Sequence, residues 1–360
     1  MLSNSEIYKL LDLDDTVLEG VHSKESSVFQ PAKNQVINAI INKIVYQTVD
    51  GFGWTNPFKK FDGRQVDFGE TIENIFVETP KGYTFNKDAT DPFTKFVTSV
   101  KVLYASINYE RQYGATIEDA YFRRCVLNQY GLNDLITEIL RQLTTSKNIE
   151  EFSATLGMLN NPDLYGNSVV VDEGLQTEHK EFEKLNIYGL GEAETAKKIT
   201  EKIKDITTSF KQPSKNHNAF KVLNATDPQR ITLVIKRTIK NTIDLDFLTG
   251  VFNLDKVGMN AKIIEIEDFR QYDDDGNVFG DDIAFVVIDD RCWDNHVALE
   301  DGGLIYNPKG KYTNHFMNLW KILGFKYFYN AEAVVLDNTA PTQSTQETPT
   351  EPEQSEPVGE

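Results

Sequence analysis

Residues 56–78 read NPFKKFDGRQVDFGETIENIFVE, and this is the stretch that decides the fold assignment. Polar and apolar residues alternate over 65–68 (QVDF), glycines stand at 63 and 69, and charges of both signs occur throughout. The pattern predicts a long, polar, two-stranded loop with little core of its own. Because an isolated hairpin is barely stable in water, we expect this loop to lie on another surface.

The composition excludes several classes of protein. The 360 residues include 37 basic and 55 acidic side chains, and the net charge of −18 argues against binding nucleic acid or an anionic membrane through a basic face. Aromatic residues make up 11% of the chain, which a disordered protein would not carry. Two cysteines, Cys125 and Cys292, provide neither a disulfide framework nor a zinc cluster. The length predicts about two domains.

The two ends of the chain have distinct patterns. The start, MLSNSEIYKLLDLDDT, lacks the basic and apolar regions of a signal peptide, and no apolar run reaches the ~18–20 residues of a membrane span. Residues 1–55 predict short helices and irregular chain, with one segment at 5–11 and a better helix at 35–49. Residues 338–360 hold four prolines, five glutamates and no basic or aromatic residue, so we expect a disordered tail.

Helical and strand patterns alternate through the rest of the chain. Apolar residues recur at helical spacing over 132–159, although an interruption near 144–147 stays open. Further helices are predicted at 193–210 and 244–252. The aromatic stretch 305–330 favours core and interface packing over nucleic-acid stacking, since few basic residues accompany it. The predicted strands are 230–237, 261–268, 282–290, whose continuous apolar run is typical of a central strand, and 331–337.

The sharpest catalytic motif is LLDLDDTV at residues 10–17. It fits the hhhDxDxT signature of haloacid-dehalogenase-type phosphatases, in which Asp12 would be the nucleophile and Asp14 a general acid/base, both helping to hold Mg²⁺. That chemistry needs the motif at the tip of a buried central strand, whereas the preceding IYKLL is short and polar. We keep the Mg²⁺-dependent phosphatase as an alternative and expect Asp12 and Asp14 to be exposed and non-catalytic.

No other pattern predicts a catalytic, cofactor or metal site. Residues 272–282 (YDDDGNVFGDD) favour an acidic turn between two strands over a calcium loop, because the ligand order of an EF-hand is missing. The five histidines are scattered without metal-binding spacing, and no glycine motif for phosphate binding occurs. We expect a protein that is not an enzyme and has no cofactor.

Three separated stretches of the sequence together point to one family. They are NPFKKF at 56–61 with GETIENI at 69–75; TLVI at 232–235 with IDLDFL at 243–248 and VFN at 251–253; and NPKGKY at 307–312 with FMNLW at 316–320 and FYNAEAV at 328–334. Taken in this order, the stretches resemble the major capsid (head) proteins of small, short-tailed, protein-primed phages of the phi-29-like group. The likeness brackets residues ~50–337, whereas 1–55 is only loosely similar, and 338–360 stands where some relatives carry an immunoglobulin-like domain.

The resemblance implies the Hong Kong 97-type major capsid fold, an α+β fold. Such a fold has an N-terminal arm, an extended β-hairpin loop, a peripheral domain with a long spine helix, and an axial α/β domain. The corresponding segments of this chain would be the arm at 1–55, the extended loop at 56–95, the peripheral domain at 96–165, the axial domain at 166–300, the return to the peripheral domain at 301–337 and the tail at 338–360.

The resemblance also implies a function. Copies would form hexamers and pentamers that close into an icosahedral or elongated head around double-stranded DNA, which is held only as nonspecific contents. Assembly would take place in the bacterial cytoplasm with a scaffolding protein and a portal, and the mature protein would be part of the virion. Another self-assembling shell or tail component stays open as an alternative, because a fold alone does not establish a function.

Physical features of the sequence agree with a shell subunit. A weakly self-supporting loop can be ordered on a neighbouring subunit, abundant aromatic residues can be buried between protomers, and an acidic wall repels packed DNA. The apolar members of the loop would lie on the neighbour while ionic pairs fix the register. The residues expected to contact the neighbour are Lys59, Lys60, Arg64, Val66, Phe68, Glu70, Ile72 and Glu73.

Overall fold

Helices and strands alternate along the part of the chain that the structure describes. The computed structural model describes residues 9, 11, 13–46, 54–67, 71–82, 97–127, 131–172, 178–241, 243, 262–272 and 277–340. Helices α1–α6 span Asp15–His22, Ser26–Tyr46, Asp119–Leu127, Gly131–Leu159, Glu192–Phe210 and Arg237–Lys240. Short 3-10 helices span Pro57–Phe61, Pro162–Leu164, Pro228–Arg230 and Asp290–Cys292. Strands β1–β14 span Ile72–Val77, Val100–Ala105, Tyr109–Glu118, Val169–Asp172, Glu178–Glu181, Glu183–Asn186, Ile231–Lys236, Ile263–Ile266, Gln271–Tyr272, Val278–Phe279, Ile283–Asp289, His296–Asn307, Tyr312–Ile322 and Ala331–Asp337.

The first core lies between a three-stranded antiparallel sheet and two long helices. The sheet order is β12-β13-β3, so β13 is the middle strand. Alternate side chains of β13 point inward, and Met317 and Leu319 share one buried cluster with Leu135 and Ile139 of α4. Helix α2 covers the same cluster. Its fully buried contributions are Phe29, Val36 and Ile37.

Helix α4 runs without interruption for 29 residues, about 43 Å at ~1.5 Å per residue. The helix predicted at 132–159 is confirmed, and the interruption that the sequence left open does not occur. Its middle is fixed from both sides: the Lys147 ammonium pairs with Glu300 at 2.7 Å, and the Asn148 amide donates to the Trp54 carbonyl at 2.8 Å. Its last turns reach into the second core.

The second core is built on a five-stranded mixed sheet of order β6-β14-β11-β7-β8. Every residue of β7 and β11 is buried. Phe285 and Val287 of β11 pack in a cluster with apolar residues of helix α5. Val286 and Ile288 pack in the cluster that contains Leu156 and other residues near the end of α4. Both faces of the sheet are therefore covered, which explains the continuous apolar run in the sequence.

Most predicted elements of the second half are confirmed. Strands β7, β8, β11 and β14 and helix α5 lie where the sequence predicts them. The predicted helix at 35–49 is wrong in extent, because α2 begins at Ser26 and buries Phe29 in the first core; Pro31 is accommodated near its start. The predicted helix at 244–252, most of the segment 5–11 and the tail beyond 340 lie outside the described residues.

A buried ion pair attaches α2 to the sheet of the first core. The Lys33 side chain has no exposed surface, and its ammonium lies 2.5 Å from Asp119 Oδ1 and donates to Thr313 Oγ1 at 3.0 Å. Gln30 donates to the other carboxylate oxygen of Asp119. Burial lowers the pKa of Lys33, although its bond to Asp119 opposes this. The N-terminal helices are therefore part of the first core.

His315 of β13 makes this region sensitive to acid. It is fully buried, and neither ring nitrogen has a hydrogen-bond partner among the described residues. Burial, together with the nearby Lys33 ammonium, lowers the pKa of His315 to about 4. The imidazole is therefore neutral in the folded protein at a pH where an unfolded chain, with a histidine pKa of about 6.5, is protonated.

We expect His315→Leu to remove an acid sensitivity of the fold. Since the folded pKa lies below the unfolded one, protonation of His315 favours the unfolded chain, and stability is lost as pH falls from about 6.5 towards 4 at roughly 1.4 kcal/mol per pH unit. The free energy of unfolding, measured by urea titration at several pH values, should fall less steeply with acid in His315→Leu than in the unaltered chain. His22→Leu, at an exposed histidine, is the control. Equal slopes in all three proteins would contradict this assignment.

Candidate subunit interface

Aromatic side chains anchor the start of the extended loop. Asn56 caps the 3-10 helix Pro57–Phe61 by accepting a hydrogen bond from the Phe58 N–H at 2.9 Å. The buried Phe58 ring stacks on Phe152 of α4 with centroids 5.8 Å apart, and the Phe61 ring stacks on Trp293 at 4.7 Å. The expectation that the stretch from residue 56 contributes little to a core is therefore wrong at its beginning, where aromatic packing outweighs the polar pattern.

We call residues 56–64, at the start of the extended loop, the loop base. A buried lysine joins the loop base, the long helix α4 and the sheet of the first core. Lys321 of β13 is 2% exposed, and its ammonium lies 3.0 Å from Asp62 Oδ1 and 3.4 Å from Glu151 Oε1. Burial raises the pKa of Glu151, although Lys321 opposes the change. Burial lowers the pKa of Lys321, but the charges of Glu151 and Asp62 outweigh it and raise the net value. Lys321 and Glu151 therefore each favour the charged form of the other, and the Asp62 carboxylate adds to the stabilisation of the Lys321 ammonium.

We expect Lys321→Met to destabilise the subunit by about 3–5 kcal/mol, because it leaves Glu151 buried without its cation. The double variant Lys321→Met/Glu151→Leu should recover most of that loss, since it removes both buried charges. Urea unfolding followed by tryptophan fluorescence measures both, as Trp293 lies in the neighbouring aromatic cluster. A single variant as stable as the unaltered chain, or a double variant as unstable as the single one, would contradict the structural role of this pair.

The next part of the loop runs beside the start of β12. The Gly63 N–H donates to the Asn295 carbonyl at 2.7 Å, and the Val66 N–H donates to the Val297 carbonyl at 3.0 Å. Val66 is 3% exposed and packs in a small cluster with Ala298 and Ile322. Its side chain is therefore buried within its own subunit, and little of its surface is left to contact a neighbour.

Strands β1 and β2 form an antiparallel hairpin whose inner face lies on the subunit itself. Strand β2 begins at Val100, beyond the expected end of the loop at 95. On the inner face the Asn74 amide donates to Asp294 Oδ2 at 2.6 Å, and the Phe76 ring stacks on Phe328 with centroids 5.5 Å apart. These contacts fix which side of the hairpin faces the body.

The other side of the hairpin is an exposed apolar surface. Ile75 pairs with Val102 and Val77 with Val100 across the two strands, and their exposed fractions run from 39% to 60%. Tyr104, 66% exposed, pairs with Glu73, whose carboxylate accepts its hydroxyl at 3.1 Å. We call this surface the outer hairpin face; its residues are Glu73, Ile75, Val77, Val100, Val102 and Tyr104.

The residues that the sequence predicts to contact a neighbour lie in several different places in the structure. Ile72 is half-buried against the Val66 cluster, so it too contacts its own subunit. Phe68 and Glu70 lie outside the described residues. Glu73 belongs to the outer hairpin face, and the basic residues lie at the loop base. Among the members of the predicted set that the structure describes, the exposed ones are Lys59, Lys60, Arg64 and Glu73.

Sequence reasoning missed the apolar residues of the outer hairpin face. The available signal is IENIFV at 72–77, in which apolar residues occupy both faces of one strand. A strand of a two-stranded hairpin that covers its own subunit has only one face to bury there. The second apolar face therefore indicates a second partner.

The described residues give no support to the alternative sites that the sequence suggests. Asp14 is exposed and precedes helix α1 as its N-cap, so it does not end a buried strand; Asp12 lies outside the described residues. Strands β9 and β10, on either side of the Asp-rich segment, pair antiparallel, while residues 273–276 between them lie outside the described residues. Among the described residues no three His, Cys, Asp or Glu side chains are grouped to hold a metal ion. No helix in the described ranges is long and apolar enough to cross a membrane.

The model of the Phi29-like phage major capsid protein family matches residues 5–335. The chain belongs to this family. The major capsid protein of Streptococcus phage Cp-1 is 23% identical to it over 328 residues, 88% of this chain and 88% of the phage protein. That of Bacillus phage B103 is 22% identical over 318 residues, 87% of this chain and 66% of the relative. The capsid structure of Staphylococcus phage Andhra matches with a TM-score of 0.60 at 11% identity, over 81% of this chain and 87% of that chain.

These findings confirm the Hong Kong 97-type fold and the role of a phage major capsid protein. This major capsid protein has the α+β architecture of Hong Kong 97-type capsid proteins, and its place is the virion capsid. Family and fold support self-assembly into shells and imply a structural, non-enzymatic role. The phosphatase alternative has no support. The outer hairpin face is therefore a surface of a protein that meets other copies of itself.

Proposed function

We propose that copies of this capsid protein join into hexamers and pentamers that close the head, and that the outer hairpin face of each copy lies on a neighbouring copy. One observation carries this proposal. Five apolar side chains, 39–66% exposed, stand together on one side of a two-stranded hairpin. A contiguous apolar surface of this kind marks an interaction site, because burying it removes apolar area from water.

The hairpin cannot bury this face on its own subunit. The inner face is held by the bond from Asn74 to Asp294 and by the stacking of Phe76 on Phe328. Turning the hairpin over would break both contacts and expose Phe76 instead. A neighbouring copy can cover the outer hairpin face while the inner contacts persist. Contacts between subunits then offset the ordering of a hairpin that is marginal by itself.

Charges at the loop base help to align the loop on the neighbouring copy. Lys59, Lys60 and Arg64 form a basic segment in a chain of net charge −18. Exposed ion pairs stabilise little, but they disfavour wrong alignments and steer the encounter of subunits. We infer that these three residues set the register of the loop on an acidic part of the neighbour, while the apolar residues provide most of the free energy.

The remaining features of the proposal come from the family. The head encloses double-stranded DNA as nonspecific contents, and assembly in the host cytoplasm involves a scaffolding protein and a portal. The acidic charge of the chain suits a wall that repels packed DNA. The segments 1–55, 56–95, 96–165, 166–300 and 301–337 serve as arm, loop, peripheral domain, axial domain and return.

We expect Ile75→Asp to abolish closed shells while leaving the subunit folded. Ile75 is 58% exposed, so the free energy of unfolding should change by less than about 0.5 kcal/mol, whereas a carboxylate in an apolar contact opposes assembly. Shell yield is measured by electron microscopy and light scattering, and folding by thermal unfolding. Ile75→Val, which keeps the contact apolar, should assemble normally. Closed shells from Ile75→Asp in the usual yield would exclude the outer hairpin face as the contact.

We expect Lys59→Glu/Lys60→Glu to weaken assembly chiefly at low ionic strength. The Debye length falls from about 14 Å at ~0.05 M salt to about 4 Å at ~0.5 M, so the defect should shrink as salt is added. Lys309→Glu/Lys311→Glu reverses two exposed lysines in the β12–β13 turn and changes the net charge equally, so it is the matched control. A salt-independent defect, or the same defect in the control, would contradict a register role for the loop base.

A further inference from the structure

The sheet of the first core contains a buried histidine whose hydrogen-bonding groups are not satisfied. His315 stands on the middle strand β13 and has no exposed surface, and among the described residues neither ring nitrogen has a hydrogen-bond partner. Since nearly all buried polar groups in proteins are paired, such an exception needs an explanation. The outer hairpin face does not involve His315, so the explanation lies in the surroundings of the ring.

The charged groups near His315 belong to a small buried cluster. Helix α2 contributes the Lys33 ammonium, which has no exposed surface and whose positive charge acts on His315. Asp119 of α3 accepts this ammonium at 2.5 Å, and the Tyr306 hydroxyl of β12 donates to Asp119 Oδ2 at 3.3 Å. The carboxylate is therefore already paired with Lys33. A second cation, at His315, would lie in an apolar space without an anion of its own.

Among the described residues, the other elements packed here add no unbalanced charge beside the ring. Across the sheet the histidine is paired with Ala115 of β3 and Leu304 of β12. Helix α4 contributes Lys147, whose ammonium lies 2.7 Å from Glu300 of β12. The positive charge that acts on the histidine therefore comes from α2.

Helix α2 is the element that can move away from His315. Strand β13 cannot, because it is hydrogen-bonded to β12 on one side and to β3 on the other. The hydrogen bonds described between α2 and the sheet all run from the Lys33 side chain, to the Ile117 carbonyl at 3.4 Å and to Thr313 Oγ1 at 3.0 Å. Proteins open locally in contiguous units, and a helix held by side chains is easier to detach than a strand bonded on both sides.

We propose that protonation of His315 detaches helix α2 from the sheet of the first core while the second core stays folded. The imidazolium and the Lys33 ammonium would be like charges in one buried space, and detachment of α2 admits water to both. Burial and the Lys33 charge lower the pKa of His315 to about 4, so the ring is neutral and the helix attached at neutral pH.

Detachment changes the surface that the subunit presents. The apolar residues of α2, among them the fully buried Phe29, share one cluster with Met317 and Leu319 of the sheet and with Leu135 and Ile139 of α4. Without α2 these residues lose part of their cover. A contiguous apolar surface favours association with other chains. Acid therefore converts a closed subunit into one with an additional apolar surface, independently of the outer hairpin face.

The pKa of His315 determines the size of the effect. In the detached state the ring is solvated and its pKa returns to about 6.5, so protons bind more tightly to that state. The ratio of detached to attached subunits should then rise about 20-fold between pH 7 and pH 5. Above pH 7 the ratio should be nearly independent of pH, because the ring is neutral in both states.

Hydrogen exchange of the full chain, followed by mass spectrometry of its peptides, tests the proposal. Protection factors, which correct for the intrinsic pH dependence of exchange, should fall about 20-fold between pH 7 and pH 5 in peptides from 26–46. In His315→Gln, whose side chain does not titrate, they should change by less than about threefold. His22→Gln, at an exposed histidine, is the matched control and should behave like the unaltered chain.

A low concentration of urea distinguishes detachment of α2 from unfolding of the whole subunit. About 0.5 M urea should leave exchange in 26–46 nearly unchanged, since local opening exposes little surface, and should speed exchange that requires unfolding of the second core, such as that of β11. Exchange in 26–46 that rises with urea in step with β11 would overturn the proposal. So would the same pH dependence in His315→Gln. If His315→Gln does not fold, His315→Leu, which suits the apolar surroundings, replaces it in the same measurement.

Discussion

One buried ammonium group determines where the extended loop can lie. Lys321 stands on the middle strand of the first core and contacts Glu151 of the long helix and Asp62 at the loop base. A charge left alone in such a place is strongly unfavourable, so sheet, helix and loop cannot separate independently. Together with the stacking of Phe61 on Trp293, the two ion pairs of Lys321 attach the start of an otherwise polar loop firmly to the body of the subunit.

The fixed attachment explains why the hairpin has two different faces. With its base held, the hairpin lies with Asn74 and Phe76 on the subunit, and its other side presents Ile75, Val77 and Val102 to the surroundings. A free loop could have hidden these residues by turning over. In the proposed assembly another copy covers this apolar surface, and the stability of the loop is then coupled to assembly.

Local patterns predicted much of this architecture. The spacing over 132–159 and the apolar run at 282–290 predicted the long helix and the central strand, and three motifs in order predicted the capsid family. The attachment of the loop was not predictable, because Asp62 and Lys321 are 259 residues apart and a lysine is rarely buried. Nor could alternation in β1 show which of its two apolar faces would turn inward. Both depend on tertiary contacts that no local pattern contains.

The most direct test is an electron cryomicroscopy map of the assembled shell at side-chain resolution. We expect Ile75, Val77 and Val102 to contact a neighbouring copy, while Phe76 stays on Phe328 of its own subunit. An outer hairpin face that is open to solvent in the closed shell, or that is covered by its own subunit, would contradict the conclusion that this surface exists for assembly.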